Sequence, residues 1–264
     1  MGKFIDRTDE ENYNNFGTLM KIVEYKEARD IIVEFQDEYK ARVHTTYLHF
    51  KKGGVKNPYD KEVCGVGYYG QGKYKARGED GKNTQAYRCW NHMMRRCYDP
   101  YEINKDKNLS YIDCYVCEEW LNFQNFAEWY EKNYYEIEGD WMCLDKDILY
   151  KRNKIYSPET CVFVPNNINV LFTKCDKMRG EYPIGVSYHK RRCALAVQCG
   201  IIDENGKGKR KHLGYFPLNR PFQAFYCYKQ FKEKVIKQVA DEYKELIPNK
   251  LYEAMYNYQV EIND

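Results

Sequence analysis

The sequence predicts an α+β chain built from several small modules, and three observations predict it. Residues 19–52 alternate apolar and polar side chains in short runs dominated by Val, Ile, Tyr and Phe, as half-buried strands do. Residues 87–97 and 116–130 carry aromatic and Met side chains at helical spacing. Residues 185–216 alternate again around a Gly-rich turn, and an Ala- and Tyr-rich helical segment follows.

Composition bounds the possibilities. At 264 residues and 43% hydrophobic content there is material for two or three cores. Mean hydropathy is -0.83 and there is no apolar run of about eighteen residues, so no membrane partner is expected. The start, MGKFIDRTDEENYNNFG, is polar and lacks both the apolar middle of a secretion signal and the hydroxyl residue that favours myristoylation, so a cytoplasmic location is expected. Eleven cysteines, an odd number in a large chain, read as reduced thiols rather than a disulfide framework. The pair Cys114 and Cys117 lacks a second ligand pair at suitable spacing, so zinc is not expected. The 27 tyrosines, with plentiful Lys, Asn and Ile, fit an A·T-rich coding sequence better than a set of base-stacking rings. Charge is segmental: residues 101–150 hold 4 basic against 12 acidic side chains, and residues 151–200 hold 9 against 3. The second of these segments is the one suited to phosphates.

In order, residues 1–15 read as a flexible polar N-terminus. Residues 16–60 read as strands with turns near 26–30 and 37–38, and resemble a small five-stranded β-barrel of the Src-homology type. Such a module is a spacer or a binding unit for a protein partner. Residues 61–85, rich in Gly and charge, read as a linker; Gly65, Gly67, Gly70 and Gly72 lack the following GK[ST] of a phosphate loop. Within 86–173, Tyr87, Trp90, Met93, Met94 and Cys97 form one helix face ended by Pro100. Trp120, Phe123, Phe126, Trp129 and Tyr130 form the stripe of a second helix, and both read as scaffold.

Residues 86–172 contain the order W-x-x-M-x-x-R-C (Trp90, Met93, Arg96, Cys97), V-C-x-E-W-x-x-F-x-x-F (116–126), L-D-K (144–146) and Y-x-P-E-x-C (156–161). This order resembles bacteriophage-encoded HNH-type homing endonucleases. The resemblance implies a ββα-metal unit, a β-hairpin followed by a helix that grips one divalent cation, Mg2+ or similar. By that mapping Asp145 is the strand ligand, Asn169 the helix ligand, and Asn153 the residue that braces the hairpin loop. The ion offsets charge building on the phosphate and helps the leaving oxygen depart. The general-base position, usually His, holds Lys146. A lysine with an unperturbed pKa of about 10.4 is a poor base at neutral pH. Three roles stay open for Lys146: a phosphate clamp or a stabiliser of transition-state charge, either with hydroxide or Asp147 as base, or an exposed lysine on an edge strand. His92 was weighed as a substitute base and reads more simply as a surface or satisfied core histidine.

Residues 174–264 carry Gly185-Val186, the run Leu213-Gly214-Tyr215-Phe216, and Ala224, Tyr228 and Lys229. These resemble the ethylene-response-factor type of DNA-binding domain, which implies a three-stranded sheet plus helix with the sheet in the major groove of double-stranded DNA. The usual Trp of the second strand is replaced by Leu195. Leu195, Val197 and Cys199 are expected to face inward. Lys190, Arg191, Arg192, Gln198, Lys209, Arg210, Lys211 and His212 are the candidates for the DNA side or its hairpin edges. A short helix after Pro248 is expected to cap this module. The expected function is that of a DNA-binding, metal-dependent endonuclease. The alternative is a catalytically inactive DNA-binding or regulatory phage protein on the same frame.

Overall fold

The computed structural model describes residues 5–104, 111–173, 181–202 and 208–262, and is mixed α+β with several small sheets and eight helices among those residues. Residues 1–4 of the expected N-terminal segment and residues 174–180, where the expected DNA-binding module begins, lie outside the described residues. Two compact units divide the chain: Met1–Lys132 with Lys154–Ser157, and Asn133–Asn153 with Pro158–Asp264. No helix among the described residues is long and apolar enough to cross a membrane.

The first unit opens with β1 (Glu11–Tyr13), β2 (Leu19–Glu27), β3 (Asp30–Phe35) and β4 (Arg42–Thr45), an antiparallel meander followed by α1 (Tyr47–Lys51). Alternation puts Met20, Ile22, Ile31, Val33 and Phe35 on one face, where they bury with Ala41, Phe50 and Val55. The order β1-β2-β3-β4 leaves the sheet open, so among the described residues the expected closed barrel is a four-stranded sheet covered by a short helix. The expected flexible N-terminus is also corrected, because residues 11–13 pair with Lys21, Met20 and Leu19. An edge strand needs no apolar stripe; β1 is fixed by backbone pairing and by the Asn12 carboxamide, which donates to Phe50 O at 2.8 Å.

Residues 61–85 lie inside the first unit and are packed. Tyr68 N donates to Leu121 O and Phe123 N to Tyr68 O, both at 2.9 Å, and the Tyr69 ring stacks on Tyr87 at 5.8 Å. A Cβ on Gly67 would stand 3.0 Å from the Trp90 ring, so close packing, not mobility, explains this glycine. α2 (Gln85–Tyr98) starts at Thr84, whose hydroxyl accepts Tyr87 N, and it buries the five predicted side chains. Pro100 ends it and begins α3 (Pro100–Asn104). The second predicted helix is two, α4 (Glu118–Leu121) and α5 (Phe123–Asn133), broken at Asn122, whose Oδ1 accepts Gln124 N. Trp90 Nε1 donates to Trp120 O at 2.7 Å, joining the two aromatic faces. β5 (Tyr115–Val116) pairs in parallel with β7 (Ile155–Tyr156), which is why 154–157 belong to this unit and the expected boundaries at 86 and 173 are not those of the compact units.

In the second unit β6 (Met142–Asp145) pairs antiparallel with β8 (Val162–Pro165), and α6 (Asn166–Phe172) follows directly. β9 (Val186–His189), β10 (Ala194–Ile202) and β11 (Gly208–Phe216) form an antiparallel sheet in the order β11-β10-β9. α7 (Pro221–Tyr243) and α8 (Asn249–Tyr256) complete the unit. Ala224 and Tyr228 of α7 pack under the sheet with Val186, Leu195, Val197 and Cys199. Further along α7, Ile236 and Ala240 pack with Ile148, Val162, Val164 and Ile168 of the hairpin region. Leu251 and Met255 of α8 belong to that second cluster, so this helix closes the hairpin core rather than the sheet core.

Gly185 has φ +77°, and a Cβ there would meet the Tyr228 ring at 2.1 Å, whereas a Cβ on Gly200 would meet open space. Gly185→Ala is expected to lower stability by more than about 2 kcal/mol, through both backbone strain and overpacking. Gly200→Ala is expected to stay within about 0.5 kcal/mol of the parent. Urea unfolding of both variants measures the difference, and equal midpoints would overturn this packing account.

Candidate functional site

β6 ends on Asp145, and its carboxylate turns the chain: Oδ1 accepts the N–H groups of Asp147 and Ile148, each at 2.7 Å. Burial pushes this carboxyl above the usual carboxylate range, and the two backbone donors oppose the rise. Oδ2 accepts no hydrogen bond among the described residues. Asn169 sits half-buried on α6, which packs on β6 and β8, and its carboxamide makes no hydrogen bond among the described residues. Two oxygen donors on neighbouring elements of a ββα arrangement are therefore uncommitted. No three His, Cys, Asp or Glu side chains cluster as a metal-holding group among the described residues.

Lys146 is only 3% exposed, which removes the reading of an exposed edge lysine. Its Nζ donates to Asp147 Oδ2 at 2.7 Å and to Asn153 O at 3.0 Å. Asn153 returns the contact, donating from Nδ2 to Lys146 O at 2.8 Å. The two residues thus clasp loop 146–153 at its ends, with Asn153 N also bonded to Tyr150 O. Desolvating an ammonium is costly unless it is paired, and here carboxylate and carbonyl both meet it. Asp147 remains half exposed while it holds the lysine. His92 lies exposed on α2 in the first unit.

The three-stranded sheet sorts the remaining candidates by face. Leu195, Val197 and Cys199 are buried against α7, as alternation predicts. Gln198 stands opposite His212 and the adjacent outward position Gly200 opposite Arg210, so Gln198, Arg210 and His212 share the outer face. Cys199 stands opposite Lys211 and Ile201 opposite Lys209, which puts both lysines on the α7 side. Lys211 Nζ lies 5.0 Å from the centre of the Phe231 ring of α7. By register both lysines stand off the face of Gln198, and both side chains are exposed. Lys190, Arg191 and Arg192 form an exposed turn between β9 and β10.

A β-bulge between Val197 and Gln198 skips Leu213 and resets the alternation in β11. It brings His212 and Tyr215, three residues apart, onto one face with ring centres 4.4 Å apart. Arg192 lies over the Tyr215 ring at 4.5 Å and His189 meets its edge at 5.2 Å. Tyr215 and His189 are not among the residues that the sequence puts on this face. The signal that finds them is register, since Tyr215 opposes Ala196 and His189 opposes Ala194. Ala194, Ala196 and Gly200 leave the central strand low between these larger side chains.

No protein-family model, curated protein or solved structure matches this chain.

Lys146→Met keeps the apolar stem but leaves Asp147 and the Asn153 carbonyl without their donor. A loss of about 1–3 kcal/mol in unfolding free energy is expected. An unchanged urea midpoint for this variant would show that the clasp does not hold the loop.

Proposed function

We propose that this chain binds double-stranded DNA with the outer face of the β9–β11 sheet. The observation that carries the reading is the face itself: Arg192, Gln198, Arg210, His212 and Tyr215 stand around a central strand of small residues, while the opposite face is closed by α7. A narrow antiparallel sheet enters the major groove with such side chains directed at base edges. Gln198 and Arg210 have the donor and acceptor geometry for bases, and the exposed turn residues Lys190 and Arg191 meet phosphates at the groove edge. Residues 142–172, with Asp145, Lys146, Asn153 and Asn169 in strand, loop and helix, are read as an HNH-like unit that anchors this sheet. A bacteriophage protein working in a bacterial cytoplasm fits this reading.

A second reading, phosphodiester hydrolysis, is favoured by one observation, the uncommitted oxygens of Asp145 and Asn169. Those two residues would hold Mg2+ or a similar ion, which supplies charge stabilisation for phosphate chemistry when bound. Lys146 is committed to Asp147 and Asn153, so the usual general-base position supplies a loop brace. Binding without cleavage is the better-supported conclusion.

Fluorescence anisotropy on a duplex containing a bound site, across a salt series, tests the first reading. Lys190→Ala/Arg191→Ala is expected to reduce the slope of log K against log salt by about 2. Gln198→Ala is expected to cost about 1–3 kcal/mol on that site without changing the slope. Lys211→Ala, on the α7 side, is expected to change little; a larger loss there than at Gln198 would reverse the assignment of faces.

Cleavage assays on the same duplex with Mg2+, Mn2+ or EDTA separate the two readings. Binding that survives EDTA and Asp145→Ala/Asn169→Ala, with the duplex intact, is expected. Metal-dependent nicking lost in that variant would establish the second reading.

A further inference from the structure

Between the two clusters that α7 serves lies a cleft of about 510 Å3, walled by the end of α6, by residues 184–187, by β10 and β11, and by Tyr228, Lys232, Tyr258 and Val260. Its floor carries a charge that no described residue balances. Lys232 is 9% exposed, and its Nζ has neither a hydrogen bond nor an ion pair among the described residues. The adjacent carboxylate is engaged elsewhere: Glu233 Oε1 accepts Lys229 Nζ at 2.7 Å and Val260 N at 2.8 Å. None of the described lining residues is acidic, and Lys209, on the α7 side by register, adds a second cation, while the outer-face residues Gln198 and Arg210 line the cleft's edge. Much of the wall is apolar or aromatic, including Ile184 and the edge-on pair Phe172 and Tyr258 with centres 4.8 Å apart.

We propose that this cleft binds a small phosphate monoester attached to a flat apolar body, with Lys232 as the principal cation for the phosphate. Two cations, with no carboxylate among the described lining residues, match a dianion better than a monoanion, and the apolar walls match a ring rather than a bare ion. The volume admits one small organic molecule. Burial in this wall pushes the Lys232 ammonium below the usual lysine range, and the Cys199 thiol opposes the fall only in part. An arriving phosphate supplies the missing counter-charge. Lys232, on α7, lies off the outer face of the sheet, and the proposal does not rest on the DNA reading, although Gln198 and Arg210 also line the cleft's edge.

Calorimetric titration of the full chain with phenyl phosphate, beside its neutral counterpart benzyl alcohol, tests the proposal. Saturable one-to-one binding of phenyl phosphate alone is expected, weakened at least roughly tenfold in Lys232→Met. That variant removes a buried unpaired charge, so its Tm is expected to hold or rise. Absence of saturable binding at millimolar phenyl phosphate, or equal affinity in Lys232→Met, would overturn the site.

If Lys232→Met does not fold, labelling of the unaltered chain by pyridoxal 5′-phosphate keeps the question open to decision. The aldehyde carbon bonds to a lysine Nζ with loss of water, and borohydride delivers hydride to the imine to leave a stable secondary amine. Peptide mapping is expected to find Lys232 labelled ahead of the exposed lysines, with phenyl phosphate protecting it. Label spread over exposed lysines and absent from Lys232 would overturn the proposal. Competition by a 5′-phosphorylated duplex but not by its 5′-hydroxyl form would identify the monoester as a DNA end, and competition by neither would identify a free small molecule.

Discussion

Along α7, Ala224 and Tyr228 face the three-stranded sheet, while Ile236 and Ala240 face the hairpin and its following helix. One helix of 23 residues, about 35 Å long at 1.5 Å per residue, thereby closes two small cores. Neither sheet can bury its apolar face alone, because one has three strands and the other two. Everything proposed for the second unit depends on this shared helix. It fixes the sheet by one face and leaves the other free, and it holds the hairpin that carries Asp145 and the helix α6 that carries Asn169. Lys232 falls where α7 passes from one core to the other, between Tyr228 and Ile236, so neither core fills the space above it.

The charge distribution acquires a structural meaning on this frame. Residues 151–200 carry an excess of basic side chains, and the sheet turns part of that excess outward at the β9–β10 turn. Burial is the contrasting fate of Lys146, whose ammonium is spent inside its own loop. The two lysine environments differ in what meets the charge. Lys146 has a carboxylate and a carbonyl, and its cost of burial is offset locally. Lys232 has no such partner among the described residues, which is why it points to a ligand.

Much of the fold was legible where a single periodicity governs. The inward set Leu195, Val197 and Cys199 follows from alternation, and the face of α2 follows from helical spacing. Failures occurred where backbone pairing or tertiary contact overrides side-chain pattern. β1 is a polar edge strand with no stripe to reveal it, and the glycines of 61–85 serve close packing that composition cannot distinguish from a linker. Whether four strands close into a barrel depends on pairing between the first and last, which the alternation of each strand leaves undetermined. At the candidate site, the bulge beside Val197 puts Tyr215 on the face opposite to Lys209 and Lys211, although all three share parity along β11. A one-residue insertion in pairing changes the facing of every side chain beyond it, and the sequence carries no local mark of it. The clasp of Lys146 and Asn153 is likewise half legible: the family resemblance implies a bracing Asn, and only the folded loop shows what this side chain bonds to.

The central claim is that the outer face of this sheet is the surface that meets DNA. Amide and side-chain chemical shifts of the full chain, recorded with and without a duplex containing a bound site, test it most directly. The account predicts large shifts at Arg192, Gln198, Arg210, His212 and Tyr215, with Leu195, Val197 and Ala224 nearly unmoved beneath them. Shifts confined to the four-stranded sheet of the first unit, with these five residues unchanged, would contradict it.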